Sequence, residues 1–300
     1  MDAVPYDFIE RVLTSLHHDF LRGIDRNFES ALWNEATETL KRKHLHLVLY
    51  LSPTENGFAY FFHPHSKTSA TFSSPSFTFD DVLQMDPRFT QIISFCIGTW
   101  PSAVPSNDLP IKRLPELIEF ASRFALEDLT VNITDKTFAN LLKPLHDALN
   151  KHELTCTDLS YFCYSPDAVV AVKTQLQNDA LQSADLSFCW PHELRDDLLA
   201  FVCRPQFRRL RLDYNCFTFD EVTTIIAYWK SLQQPRTPLF ICLKGCNFRD
   251  EFASCMTITY DSPDQYVDTF GDYIVRVLCE PMKCTIIFDV FEELCHSDGV

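Results

Sequence analysis

Phe207-Arg208-Arg209-Leu210-Arg211-Leu212-Asp213-Tyr214-Asn215-Cys216-Phe217-Thr218-Phe219-Asp220-Glu221-Val222-Thr223-Thr224-Ile225-Ile226-Ala227-Tyr228-Trp229 changes its hydrophobic period halfway along. In the first half Phe207, Leu210, Leu212 and Tyr214 set an apolar edge between arginines, the alternation of a short half-buried strand. In the second half Val222, Ile225, Ile226 and Trp229 recur at helical spacing. Thr218 and Glu221 stand three apart between the halves. A hydroxyl there accepts from the third helical N–H, and the carboxylate accepts from the N–H of the capping residue. The stretch predicts a strand, a turn and a helix.

The same unit recurs on both sides. Pro115 opens a helix with Leu117, Ile118, Ala121 and Phe124, and a strand follows through Leu126, Leu129 and Val131. Phe138, Leu141, Leu142 and Leu145 mark the next helix, and Leu154 to Tyr161 the next strand. Ser165-Pro166-Asp167 starts a helix with Val169, Val172 and Leu176, followed by a strand from Leu181 to Phe188. Pro191 starts another with Leu194, Leu198, Leu199 and Val202, and a strand from Leu239 to Leu243 comes after the quoted unit. Taking Val131, Leu159, Leu186, Leu212 and Leu243 as equivalent gives separations of 28, 27, 26 and 31. These spacings resemble a leucine-rich repeat of irregular form, whose units run to about 20–29 residues and stack to share a core. In the last span, Pro263 is expected to open a helix carrying Tyr266, Phe270, Ile274 and Val277 before a strand at Cys284–Phe288.

Upstream, Leu45, Leu47, Leu49 and Leu51 alternate as a strand, and Phe58 to Phe62 returns as its hairpin partner across a six-residue loop, Ser52 to Gly57. Thr78 or Asp80 begins a short helix, Gln91 to Ile97 forms a strand, and the proline-rich Trp100 to Pro110 reads as a linker.

Residues 4–43 read as helices: Pro5 suits a first turn, and Phe8, Ile9, Val12, Leu13 and Leu16 share one face. The order Val4-Pro5, Phe8-Ile9, Val12-Leu13, Leu16, Leu21, then Trp33 before Ala36 resembles an F-box. The opening Met1-Asp2-Ala3-Val4-Pro5 with Phe8 is similar to the start of many F-box-type proteins of nematodes. The resemblance implies that Val4, Pro5, Phe8, Ile9, Val12 and Leu13 contact the small adaptor of a cullin–RING (SCF) ubiquitin ligase, while the rest of the chain holds a protein substrate. The expected fold is α/β: a helical F-box-like unit (1–43), a strand-rich connecting region and linker (44–110), and an irregular leucine-rich-repeat-like array (111–300), with a curved parallel sheet and outer helices. The alternative is an interaction scaffold whose N-terminal helices only cap the array.

Composition narrows the chemistry. A formal charge of −15 over 300 residues disfavours nucleic acid and anionic membranes, which need a basic face. Lys41-Arg42-Lys43 fits the end of a helix, where cations complement the dipole. No apolar run reaches the roughly 20 residues of a membrane span, and the acidic N-terminus lacks a leader pattern, so an intracellular protein, cytoplasmic or nuclear, is expected. Twelve cysteines then read as reduced, mostly buried residues, and the sequon at Asn132 as unused. Six glycines leave little for phosphate loops or nucleophile elbows, and no nucleotide, hydrolase or metalloprotease motif occurs. His63-Pro64-His65 reads as a solvated turn. Cys242 with Cys246, and Cys279 with Cys284, lack a second close-set pair for zinc. His192, Glu193, Asp196 and Asp197 read as first-turn residues of a helix. No catalytic residue, metal or cofactor is expected.

What remains is a strand surface. Asn132, Ser160, Asp185, Ser187, Arg209, Arg211, Asp213 and Lys244 are outward positions, with Tyr161, Phe188 and Tyr214 nearby. Arginine beside tyrosine is the composition of interface hot spots, so Arg209, Arg211, Asp213, Tyr214, Tyr161 and Phe188 are the candidate substrate contacts.

Overall fold

Among the described residues, alternating and helix-periodic segments build one 13-stranded sheet backed by helices. The computed structural model describes residues 5, 8, 9, 12, 30–55, 57–65, 76–99, 106–133, 138, 141–162, 165–187, 190–214, 216–232, 238–258, 265–270 and 273–290. The strands are β1 (Leu45–Thr54), β2 (Gly57–Pro64), β3 (Thr90–Gly98), β4 (Asn107–Pro110), β5 (Leu126–Asn132), β6 (Cys156–Tyr161) and β7 (Ser183–Leu186). They continue with β8 (Arg209–Leu212), β9 (Leu239–Lys244), β10 (Thr257–Ile258), β11 (Gln265–Phe270), β12 (Tyr273–Glu280) and β13 (Lys283–Val290). The helices are α1 (Ala31–Lys43), α2 (Phe79–Gln84), α3 (Leu114–Ala121), α4 (Lys143–Asn150), α5 (Pro166–Leu176), α6 (Arg195–Val202), α7 (Phe219–Ser231) and α8 (Arg249–Cys255).

Spatial order is β10-β11-β12-β13-β9-β8-β7-β6-β5-β3-β1-β2-β4. The strands from β1 through β3 and β5 to β9 pair in parallel. Hairpins extend both ends antiparallel. Parallel crossovers keep one hand, and the strands from β5 to β9 advance in one direction, so their helices fall on one face. The core agrees: alternate strand residues and the inner helix residues form a single buried cluster. The fold is therefore α/β with a mostly parallel central sheet. Residues 44–110, expected to connect, supply four strands of that sheet.

One buried row crosses the sheet in register: Tyr60, Leu51, Ile97, Val131, Tyr161, Leu186, Leu212, Leu243, Cys284 and Cys279. Every member is buried, and an aliphatic side chain moved out of water there contributes about 1.5–3 kcal/mol. The row corrects one assignment. The partner of Val131 is Tyr161, two residues beyond Leu159, so the true separations are 30, 25, 26 and 31.

Tyr161 accordingly faces the helices and not the open side, because residues two apart share a face of a strand and Leu159 is already inside. Burying it requires a partner for its hydroxyl. His146 of α4 supplies one, with Nε2 and the Tyr161 oxygen 2.5 Å apart. Burial holds the His146 imidazole neutral by lowering its pKa to about 4.

The cap boxes form as written: Thr218 with Glu221 starts α7, and Thr78 with Asp81 starts α2. Ser165 caps α5 ahead of Pro166. Three other expectations are corrected. Glu55 and Asn56 alone separate β1 from β2, because both strands run past the expected turn residues to pair Thr54 with Gly57. Asn107–Pro110 of the supposed linker is strand β4 on β2. Gly57 permits that contact: at φ 154°, a Cβ would lie 2.4 Å from the Leu109 carbonyl oxygen.

The third correction is the C-terminal helix, which is strands β11 and β12. The helical reading joined Tyr266, Phe270, Ile274 and Val277 across Gly271-Asp272. The register instead pairs Phe270 with Tyr273 and Tyr266 with Val277, so the two halves of that reading are antiparallel strands. Beyond it Val275, Val277 and Cys279 are buried while Arg276, Leu278 and Glu280 are exposed, which is alternation.

Candidate binding face of the sheet

Opposite the helices, the alternate strand positions form a second surface. Its central row is Tyr50, Cys96, Thr130, Ser160, Asp185, Arg211, Cys242, Thr285 and Leu278, each beside the next in the strand register. Parity places these residues there, because one face of each parallel strand is committed to the helices. The flanking rows divide by charge. On β5 and β6, Asp128 stands beside Asp158, with Asp185 on β7. Arg209 and Arg211 lie on β8, Lys244 on β9, Lys283 on β13 and Arg276 on β12.

The acidic half is partly internal. Burial raises the Asp128 carboxyl, with neighbouring Asp158 adding to the shift and a hydrogen bond donated by Ser94 opposing it. Burial likewise raises Asp185, against the nearby Arg211 and Arg209. At the basic half Asp213 is held ionised. Burial alone would raise Asp213, but hydrogen bonds from Lys244 and Ser187 outweigh it and lower its pKa. Lys244 Nζ lies 2.5 Å from Asp213 Oδ1, and Arg211 NH1 is 3.7 Å from Asp185 Oδ2. Asp185 Oδ1 and Arg211 Nε are buried and have no hydrogen-bond partner among the described residues.

The predicted contacts separate on this surface. Arg209, Arg211 and Asp213 face it together. Tyr214 lies just beyond β8 and is 62% exposed, so it is a surface aromatic and not part of the apolar strand edge. Tyr161 is in the core, and Phe188 lies outside the described residues. Of the other outward positions, Asn132 is exposed, Ser160 and Lys244 are half-buried, and Ser187 is buried. Phe240, Ile287, Arg276 and Leu278 were missed. Arg276 and Leu278 sat inside the supposed helix, and only the Val275, Val277, Cys279 alternation could have revealed them.

At the N-terminus the six expected adaptor contacts also divide. Phe8, Ile9 and Val12 are helical. Pro5 is exposed and Phe8 is 55% exposed, whereas Ile9 is fully buried with Ala36 and Leu40 of α1, Leu32, Trp33 and Phe89 packing alongside. Val12 is half-buried. Val4 and Leu13 lie outside the described residues.

The sheet brings together cysteines that sequence spacing kept apart. Cys279 stands opposite Cys284, Cys284 opposite Leu243, and the Cys246 thiol bonds to the Leu243 carbonyl at 3.5 Å. Burial raises the Cys246 thiol to about 11, and Cys279 together with burial raises Cys284. Among the described residues, no group of three or more His, Cys, Asp or Glu side chains is placed to hold a metal ion. His63 is half-buried and its Nδ1 is 2.8 Å from the Pro64 carbonyl oxygen. Asp197 in α6 receives a hydrogen bond from Gln177 and an ion pair from Lys173, so it ties α6 to α5. No helix among the described residues is long and apolar enough to cross a membrane.

Comparison with protein-family models, curated proteins and solved structures gives no match.

Proposed function

We propose that the chain is a non-enzymatic substrate-recognition subunit of a cullin–RING ubiquitin ligase, with a divergent F-box at its N-terminus and a leucine-rich-repeat-like sheet as its substrate-holding part. The observation that carries this reading is the division of the N-terminal motif. Ile9 anchors the segment on α1, while Pro5 and Phe8 stay exposed. An exposed phenylalanine beside an exposed proline is apolar surface available to a partner. The open sheet face, divided into an acidic and a basic half, is the surface left for a protein substrate.

A second reading rests on Phe89, which precedes β3 and joins the Ile9, Ala36 and Leu40 cluster. Through it the N-terminal helices cap the sheet, and a scaffold needs no more. Co-purification of the full chain with the ligase adaptor separates the two. The wild type is expected to retain the adaptor, and Phe8→Asp to lose it with an unchanged melting temperature, since Phe8 is exposed. A wild-type chain that retains no adaptor leaves only the scaffold.

A further inference from the structure

The basic half of the open face has an order that reveals what it fits. Its lower row reads Arg209, Phe240, Ile287, Arg276 across β8, β9, β13 and β12, each residue paired with the next. Both arginines are exposed and the two apolar side chains between them are half-buried. The Arg209 guanidinium lies over the Phe240 ring, 5.6 Å from its centre, which fixes one end of the row. Above it run Arg211, Cys242, Thr285 and Leu278, in which buried Cys242 and Thr285 make a floor and Leu278 is 37% exposed. At the top, Lys244 pairs with Asp213 and Lys283 with Glu280. Over this half Arg211, Lys244 and Lys283 are each matched by an acid, Asp185, Asp213 and Glu280, whereas Arg209 and Arg276 at the two ends of the lower row are exposed cations, in a chain whose net charge is −15.

Neighbouring strands lie about 4.8 Å apart, so the row of four sets its arginines about 14 Å from each other. A segment laid across the strands in extended form advances about 3.4 Å per residue, with alternate side chains facing the sheet. Residues i and i+4 then stand about 14 Å apart on the sheet side, with i+2 between them.

We propose that the β8–β9–β13–β12 face binds an extended acidic segment of a partner protein, in the pattern acid, any, apolar, any, acid. The carboxylates meet Arg209 and Arg276, and the apolar residue sits over Phe240 and Ile287. Asp128, Asp158 and Asp185 on the other half repel the same segment and keep it in this register. The inference rests on the open face being the substrate face, and adds the chemistry of the substrate.

The test uses the full chain alone and fluorescent peptides, read by anisotropy. One probe holds Glu-Ser-Leu-Ser-Glu in a serine–glycine background; a second replaces both glutamates by lysine; a third moves them next to the leucine. The first is expected to bind about tenfold or more tightly than the others and to weaken as salt rises. The double variant Arg209→Glu with Arg276→Glu, at exposed positions, is expected to lose that binding with an unchanged melting temperature. Equal binding of the acidic and basic probes, no binding, or full binding by the double variant overturns the inference. So does a peptide-free chain that self-associates through these arginines, for then a second copy is the occupant. None of these outcomes touches Phe8, so adaptor binding stands or falls separately.

Discussion

The parallel strands β5 to β9 and the antiparallel strands β10 to β13 belong to one sheet, yet they are built by different rules. In the parallel part each strand is followed by its own helix, and burial comes in repeated strand–helix pairs. At the antiparallel end two helices serve several strands. Trp229 of α7 meets Phe288 of β13, and Phe252 of α8 meets Tyr266 of β11. A parallel crossover needs a dozen or more residues, so a repeat there announces itself in the sequence. A hairpin needs two, and there the whole message is alternation plus a short turn.

The largest expected effect breaks the parallel part and contrasts its two faces. Leu212→Ala removes a member of the buried row and is expected to cost about 3 kcal/mol in urea unfolding. Arg211→Ala, next to it but on the open face, is expected to cost less, about 1 kcal/mol, because its ion pair with Asp185 is long at 3.7 Å and the arginine side chain is 39% exposed. A comparable cost for both would mean that the open face is covered.

Acid sharpens the contrast further. His146 in the folded protein has a pKa of about 4, below its ordinary value, so the unfolded chain takes the proton first as pH falls. Its contribution is full above the ordinary histidine pKa and is lost between there and about pH 4, with little further change below. The total is on the order of 3 kcal/mol, and His146→Gln is expected to flatten the profile in that window. Strands β11 to β13 contain no histidine, so the His146 part of the slope belongs to the parallel strands, and His44, lowered by burial ahead of β1, adds to it.

The smallest effect tests the antiparallel end. Val275→Ala is expected to destabilise by about 2 kcal/mol and Leu278→Ala by under about 0.5 kcal/mol, since Val275 is inside and Leu278 outside. A helix through Ile274 and Val277 would reverse that order, because Leu278 lies four residues from Ile274 and Val275 only one.

Legibility followed the same division. Val222, Ile225, Ile226 and Trp229 announced α7, and all four are buried as their spacing required. The parallel order was readable because Leu186, Leu212 and Leu243 really are register partners. Tyr161 misled because its hydroxyl argues for water, and the partner that satisfies it comes from another element, fifteen residues away. Gly271-Asp272 misled because a helical period bridges two residues without strain on paper. Of the open face, Arg209, Arg211, Asp213 and Lys244 were legible from parity alone. Arg276 and Leu278 required the correct strand assignment, and Phe240 and Ile287 became visible as surface only once β13 was paired with β9.

The two ends of the sheet carry one more consequence, for how the molecule behaves at high concentration. Among the described residues the outermost strands are β10, of two residues, and β4, of four residues ending in Pro110. A proline offers no N–H, and a two-residue edge presents almost no ladder to a second chain. The eight-residue β2 next to β4 would make a far better template, and the contact at Gly57 keeps it covered. A side chain at position 57 would therefore be felt twice: as lost stability, because the atom it meets is main chain, and as aggregation, because the border of β2 is opened.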